Sequence, residues 1–506
     1  MTQLGIPTSY WIDSTANPSF PQLTEDIAVD VAVIGGGIAG IATAWELVRA
    51  GREVVVIEAD HLLAATTGNT TAKLSAQHGL IYDRLRSTLG ESTSRAYGHD
   101  QLDAVEYVAA VADELGIDCD IERRPSISYA TDAQQVSAVE AEVEAARASG
   151  LPASVVYESP LPYPIAAGVR VEDQIQFHPR KYLLGLVADL VRGGSRVFER
   201  SRVVDLSEGS PCRLTTREGA EITAVDVVVA THYPIFDRAG LFSRLTPHRE
   251  LVVAGPIDPD RDPGGMYITS EDNTRSVRSA PLENGGRLLI VTGESFVPGS
   301  AGIAARAQRL AEWAERHFGM RPTYHWAAQD NSTNDGLPYI GSLHLGAEHA
   351  YVATGFGGWG MSNGVVAARL LSTLICGGRP DRDQIYDPRR VHPIVEGPGF
   401  LRANLANARR FVAGRFGASE VDTPAPGAGA VVGPRGSKCA VYRDSSGQTQ
   451  VLSASCTHLG CTVAFNDLER TWDCPCHGSR FAVDGSVLQG PATEPLRRLG
   501  PDDVGA

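Results

Sequence analysis

Four cysteines and two histidines crowd toward the end of the chain. Cys456, His458 and Cys461 lie in the loop C-T-H-L-G-C, and Cys474, Cys476 and His477 in the loop C-P-C-H-G-S. A group of thiols and imidazoles this dense reads as a metal site. Two Cys and two His form the mixed set that binds one iron of a [2Fe-2S] cluster through sulfur and the other through nitrogen. Cys461 and Cys476 are then left over as a pair. A Cys2His2 zinc site needs four such ligands too, but it leaves the second cysteine pair, the loop glycines Gly460 and Gly478 and the Gly490-Pro491 turn unexplained.

A second chemistry lies near the start. Gly35, Gly37 and Gly40 form G-x-G-x-x-G between an apolar strand (Val29 to Ile34) and a helix (Ile38 to Ala50). Backbone N–H groups and the positive helix end can hold a pyrophosphate there. Glu58 ends the next strand, placed to accept hydrogen bonds from a ribose hydroxyl. Strand, turn, helix, strand and acid together indicate a dinucleotide, with Ile38, Ala39 and Ala59 beside it. Gly355, Gly357 and Gly360 repeat the glycine pattern in YVATGFGGWGMSNG, but no second strand ending in an acid follows, so the repeat is not a separate nicotinamide site.

The segments VAVIGGGIAG, VDVVVATHYP (225–234), DGLPYIGSL (335–343) and ATGFGGWGMSNG (353–364) together resemble the D-amino-acid oxidase and glycine oxidase family of flavoproteins over about residues 27–380. The resemblance implies FAD. It also implies that the late glycine turn, Gly355, Phe356, Gly357, Gly358, Trp359, Gly360 and Met361, aims a helix N-terminus at the flavin, where negative charge develops on reduction. By the same resemblance Thr66, Thr67, Asn69, Thr70, Thr71, Ser75 and Gln77 lie by the pyrophosphate and flavin ring, Val203 or Val204 by the adenine, and Ala230, Thr231 and Gly336 border the cofactor.

Residues 437–496 resemble a Rieske domain of the cytochrome bc type. This implies cluster ligands Cys456, His458, Cys474 and His477 and a Cys461–Cys476 disulfide, an unusual bond for a cytoplasmic protein. Ser479 matches the serine that hydrogen-bonds a bridging sulfide in that family. Phe481 replaces a tyrosine that donates to a ligand sulfur, which implies a potential below the top of the Rieske range.

A flavin handles two electrons and the cluster one, so both on one chain suggest a dehydrogenase that empties its flavin stepwise. By resemblance the donor is a C–N bond of an amine or amino-acid-like substrate, and the cluster relays electrons to an external acceptor. The reverse flow, with a donor protein reducing the cluster, and a pure electron-transfer or sensing module are the alternatives. Arg278 and Tyr267 lie on strands that, by resemblance, face the flavin, and an arginine there could grip a carboxylate. His78 and His178 are candidates for proton transfer, and Lys73 for a group near the flavin N5. Cys119, Cys212, Cys376 and Cys439 read as small buried residues.

These groups must be positioned by a chain of 506 residues, 43% hydrophobic and 21% charged with 53 glycines, an ordinary enzyme composition too long for one core. The fold expected is α/β plus β: a Rossmann-like FAD-binding domain with an inserted mixed-sheet substrate domain, then a small all-β Rieske domain. FAD-binding segments fall at about 27–80, 195–235 and 335–380, and substrate-layer segments at 81–194 and 236–334, all within 1–395. Helical spacing marks 98–116, 304–318 and about 398–416, and strands 121–130, 169–177, 265–280 and 286–293. Residues 396–436 read as a helix and a Pro/Gly/Ala linker (Glu420 to Gly436), and 437–506 as the cluster domain. A net charge of −15 argues against nucleic acid or an anionic membrane as partner. No cationic or apolar leader opens the sequence and no apolar run is long enough to span a bilayer, so a cytoplasmic protein is expected.

Overall fold

The computed structural model describes residues 4–236, 238–380, 382–416, 424–433 and 438–500, and parts of the expected linker, 420–423 and 434–436, lie outside them. Ile27–Ile34 sits at the centre of an eight-stranded sheet, parallel to Glu221–Val229 on one side and Val54–Ile57 on the other. Arg196–Phe198 and Ala350–Thr354 extend it in parallel, and Tyr339–Ser342 closes it antiparallel. Strands covered on both faces carry unbroken apolar runs, and Val31, Ala32 and Val33 are fully buried. Helix Ile38–Arg49 leaves the first strand across the glycine turn and packs on helix Gly360–Ile375. The two backbones come close at Gly364, where a Cβ would lie 3.0 Å from Ile38.

The second sheet has nine strands, with the order Tyr324–Thr333, Leu245–Ile257, Arg287–Phe296, Arg275–Pro281, Met266–Thr269, Glu122–Ala130, Ala167–Gln176 and Lys73–Leu74 along its main path. One face buries Leu251, Val253, Val277, Leu289 and Val291 against helix Ile303–Phe318. That helix turns Ile303, Ala307, Leu310, Ala314 and Phe318 inward at helical spacing. The stretch expected as one strand over 265–280 is two, Met266–Thr269 and Arg275–Pro281, because Ser270, Asp272 and Asn273 favour a turn between them. The helix expected over 98–116 begins earlier and runs Glu91–Glu114.

The small C-terminal lobe holds a three-stranded and a four-stranded sheet around Leu452, Trp472, Phe481, Ala492 and Leu496. Gly429–Val432 pairs antiparallel with Cys439–Arg443, so this lobe starts inside the stretch expected to be linker. Helix Pro393–Phe416 starts with proline at its first position, where the missing N–H costs nothing. It is anchored on the large lobe by Arg244–Glu396 and by Asn404 Nδ2, which donates to the Ser243 carbonyl at 3.0 Å. Phe411 of the same helix packs against the small lobe's core.

Candidate functional site

At the glycine turn, Gly35 has φ +110° and a Cβ there would lie 2.4 Å from the Ala230 carbonyl; a Cβ at Gly40 would lie 1.9 Å from the Gly35 carbonyl. Only glycine permits this approach of helix to strand. The helix N-terminus, with Gly37, Ile38 and Ala39, borders a cavity of about 420 Å3. Glu58 accepts from Gly36 N at 2.7 Å and from Asp60 N at 2.9 Å, contacts that restrain the rise in its pKa that burial causes. Thr67 Oγ1 accepts from Ile38 N at 3.1 Å, and Thr66 Oγ1 donates to the Gln329 carbonyl at 3.0 Å.

Of the other expected cofactor residues, Gly35, Ala59, Asn69, Thr70, Thr71 and Val203 line this cavity, as do Ala230, Thr231, Phe356, Gly358, Gly360 and Met361. Val204 does not, and Ser75 and Gln77 bond to each other, Gln77 N donating to Ser75 Oγ at 2.9 Å. Gly336, Gly355, Gly357 and Trp359 instead border a second cavity of about 260 Å3, shared with Phe356 and His78. A cavity walled by open glycine backbone, a helix N-terminus and a buried acid fits FAD.

The expected catalytic residues are dispersed. Arg278 is fully buried and not among the cavity-lining residues, and its Nη1 and Nε donate to the carbonyls of Ala72, Thr71, Phe177 and Ser279. Tyr267 faces the helix side of its sheet and donates to the Pro263 carbonyl at 2.9 Å, away from the cavity. His178 caps helix Pro179–Arg192. His78 bonds Tyr97 Oη at 2.6 Å and the Ser75 carbonyl at 2.7 Å and stacks on Trp359, and burial pushes its pKa down to about 3, so it stays neutral. Lys73 donates to Thr71 Oγ1, beside the cavity, at 3.2 Å and to Ser276 Oγ, on the same sheet face as the cavity residues Val252 and Thr292. Burial lowers it to about 8, with Glu250 pulling it up and Arg278 pushing it further down. Of the four cysteines expected to be buried, Cys376 is exposed.

Sequence reasoning missed the strand that faces the cavity: His248, Glu250 and Val252 alternate along Leu245–Ile257 and all line it. The polar residues heading that strand, T-P-H-R-E, were the available signal. Asp330, opposite His248 in the ladder, accepts from Gly358 N at 2.6 Å and so ties the late glycine turn to the second sheet. Burial opposes its ionisation, but the hydrogen bond and charge of His232 and the charge of His248 outweigh that and lower its pKa.

In the small lobe, His458 and His477 hold their rings 4.9 Å apart and nearly perpendicular. Nδ1 of His477 is buried and has no hydrogen-bond partner among the described residues, an arrangement that calls for a ligated metal. The Cys456 thiol is lowered to about 7 by a hydrogen bond from Cys474 and by the His458 N–H, Ser479 hydroxyl and Leu459 N–H, against burial. Donors around sulfur favour the thiolate that binds iron. Cys461 and Cys476 form a disulfide whose sulfurs lie within 4.8 Å of Cys474 Sγ. These residues fit a [2Fe-2S] cluster.

The two sites share a wall. Arg480, Leu488, Gln489, Gly490 and Thr493 of the small lobe line the large cavity. Gln329, also in that wall, donates through Nε2 to the carbonyl of Gly478 at 3.0 Å, one residue past His477. The His477 ring packs edge-on against Tyr233 and Phe242 of the large lobe. The seam is fastened by buried Arg249, which bonds Glu469 and lies 3.5 Å from Asp473, while Arg480 bonds both acids from its own lobe. Asp467 Oδ1 accepts from Ala304 N at 3.0 Å, and Arg202 donates to the Val487 carbonyl at 3.2 Å.

A dinucleotide cavity facing a second sheet, roofed by an iron–sulfur lobe, defines a flavin-dependent oxidoreductase with two redox centres. The family model for FAD dependent oxidoreductases (DAO) matches residues 30–374 and that for the Rieske [2Fe-2S] domain residues 418–500. The chain belongs to the DAO family of FAD-dependent oxidoreductases and carries a C-terminal Rieske [2Fe-2S] domain. It is 35% identical to the Rieske 2Fe-2S iron-sulfur protein YhfW of Bacillus subtilis (strain 168), over 98% of each chain. It is 25% identical to gamma-glutamylputrescine oxidoreductase of Escherichia coli (strain K12), over 73% of this chain and 89% of that one. Glycine oxidase from Geobacillus kaustophilus shares the fold at TM-score 0.59 and 20% identity, covering 72% of this chain and 99% of that one. No helix among the described residues is long and apolar enough to cross a membrane.

Proposed function

We propose that the protein is a cytoplasmic dehydrogenase that oxidises a C–N bond of an amine or amino-acid-like small molecule and passes the electrons from FAD to the Rieske cluster and on to an external acceptor. FAD, held by the glycine turn, Glu58 and Thr66 to Thr71, supplies a two-electron acceptor; the cluster, held by Cys456, His458, Cys474 and His477, supplies a one-electron relay.

The observation that carries this reading is the common wall. Gln329 borders the flavin cavity and bonds the carbonyl next to a proposed cluster ligand, which supports a route for electrons from cavity to cluster through protein. The Arg249 pairs hold the small lobe on the cavity, and Tyr233 and Phe242 cover the His477 side of the cluster. His458 is more open than His477, and its loop neighbour Leu459 is 44% exposed, which leaves that edge for an outside acceptor. The names of related enzymes, a gamma-glutamylputrescine oxidoreductase and a glycine oxidase, support a nitrogenous donor.

The test is an anaerobic titration of the purified protein with amines and amino acids, following flavin absorbance and the cluster's EPR signal. Flavin bleaching followed by growth of a rhombic signal is the expected result. A flavin that no donor bleaches, but that a pre-reduced cluster does reduce, would reverse the direction.

A further inference from the structure

The helix Pro393–Phe416 lies against both lobes beside the proposed cluster, and one side of it has no cover. Asn404 holds it to the Ser243 carbonyl of the large lobe, and Phe411 packs on the small lobe's core. Phe411 lies 3.9 Å from where a Cβ of Gly460 would stand, in the first cysteine–histidine loop. Arg410 Nη1 donates at 3.4 Å to the carbonyl of Pro475, which stands between two cysteines of the second loop. The helix therefore touches both loops that carry the proposed ligands.

Next to this packed side, Ile394, Leu401, Leu405, Ala408 and Val412 recur at helical spacing and form one stripe. Ala408 is exposed, and the four larger side chains are between 53% and 92% exposed. Leu459, beside His458, is exposed as well. Single exposed apolar residues are ordinary, but a row of them along about five turns of one helix marks a surface that meets another molecule.

The charges along the stripe select that molecule. Arg402 and Arg409 flank it, are exposed, and have no hydrogen bond or ion pair among the described residues. Glu396, the one acid of this helix, is committed to Arg244. A cationic and apolar face on a chain of net charge −15 is complementary to an acidic surface. A second copy of the chain would lay these arginines against their own counterparts with no acid to pair them. An anionic bilayer would gain about 1 kcal/mol per arginine, against repulsion from the rest of an acidic protein.

We propose, resting on the reading above in which electrons leave through the cluster, that this stripe, with Arg402, Arg409 and Leu459, is the docking surface for a small acidic one-electron carrier protein. One electron passes from the cluster to the carrier's metal centre, which oxidises the first and reduces the second; no bond forms or breaks. Two carriers take the pair of electrons that one substrate supplies. Phe411 and Arg410, seated on the two loops, keep a docked carrier beside the cluster.

The experiment uses the full-length protein loaded with FAD and cluster and reduced with dithionite, so that no organic substrate is involved. The probes are plant plastocyanin, an acidic copper protein, and mitochondrial cytochrome c, a basic haem protein. In anaerobic stopped flow plastocyanin should be reduced on the order of tenfold faster than cytochrome c, and raising salt from about 20 to about 200 mM should slow it by a similar factor. Arg402→Glu combined with Arg409→Glu should slow plastocyanin on the order of tenfold and weaken its binding in calorimetry. Leu405→Asp should weaken the same binding. FAD content, the rhombic EPR signal and Tm should stay at wild-type values in both variants. Equal rates for the two probes, or a double variant that treats plastocyanin as wild type does, would overturn the assignment. So would a wild-type dimer that Leu405→Asp dissociates, or flotation with phosphatidylglycerol vesicles that this variant abolishes, because each gives the stripe another occupant. Plastocyanin docking that passes these tests, in a protein whose flavin no amine or amino acid bleaches, would keep the surface and bring down the dehydrogenase reading instead.

Discussion

The four side chains proposed to hold the cluster all come from the stretch 456–477, whereas the flavin cavity takes walls from positions 34–71, 201–203, 230–235, 248–252, 292, 327–330, 353–361 and 480–493. The first is two loops bonded across a small β core; the second exists only when two sheets and two lobes have packed. A locally built site stands or falls on individual donors. A site assembled from distant segments depends on backbone approach and on the seam, and several of its walls carry no signature of their own.

This contrast can be broken most sharply by removing a cluster ligand. Cys474→Ser should abolish the rhombic EPR signal while FAD absorbance stays at wild-type level; loss of both would mean that the shared wall makes one site depend on the other. The converse is Gly40→Val, whose side chain has no room beside the Gly35 carbonyl. FAD content, read by fluorescence after heat release, should fall at least tenfold, with the EPR signal retained. Next comes the seam. Arg249→Met leaves Glu469 and the buried Asp473 with Arg480 as their one cation among the described residues, and should cost roughly 3–5 kcal/mol, read as a lower Tm by calorimetry. An unchanged Tm would show that the seam is held by its other contacts.

Beside the flavin cavity lies a half-buried cation, Lys73, that donates to hydroxyls and forms no ion pair among the described residues. The Lys73 pKa, lowered to about 8 in the folded protein, is higher in the unfolded chain, so between the two values the unfolded state binds the extra proton. Stability should therefore rise with pH from about 8 to about 10.5, by on the order of 3 kcal/mol, and the burial penalty is present in full below about 8. Lys73→Met should remove this slope in denaturant titrations; a slope that persists would place its source elsewhere. The smallest effect expected is at Phe481, fully buried in the cluster lobe. Phe481→Tyr adds a hydroxyl donor near the ligand sulfurs and should raise the cluster potential in an EPR-monitored titration. No shift would remove that hydroxyl from the account of the potential.

Both cofactors and the family were legible in the sequence, because each depends on chemistry few residues can perform: glycine for close backbone approach, thiolate and imidazole for iron. The substrate side was not. Which way a strand residue points depends on register, and the expected single strand over 265–280 is two, with Tyr267 paired to Val277 on the helix-covered face. Arg278 lies where the carbonyls of Thr71, Ala72 and Phe177 converge, a convergence of three chain segments that no spacing encodes. Glu250 and Gln329 meet through the pairing of strands far apart in sequence, and Gln489 joins them only across the seam between lobes, so their sequence neighbours reveal nothing about them. The Pro/Gly/Ala composition of 420–436 read as pure linker for the same reason: pairing of Gly429–Val432 depends on a strand it has yet to meet.

The roof of the flavin cavity has a consequence for assembly. Arg480, Leu488, Gln489, Gly490 and Thr493 leave the ribosome long after the glycine cradle at Gly35 to Gly40. During synthesis the nascent cradle stands open, and a flavin can enter before any lid has been made. Once the C-terminal lobe seats, the same segment that completes the wall bars the exit. Retention of the nucleotide thus depends on the seating of the C-terminal lobe.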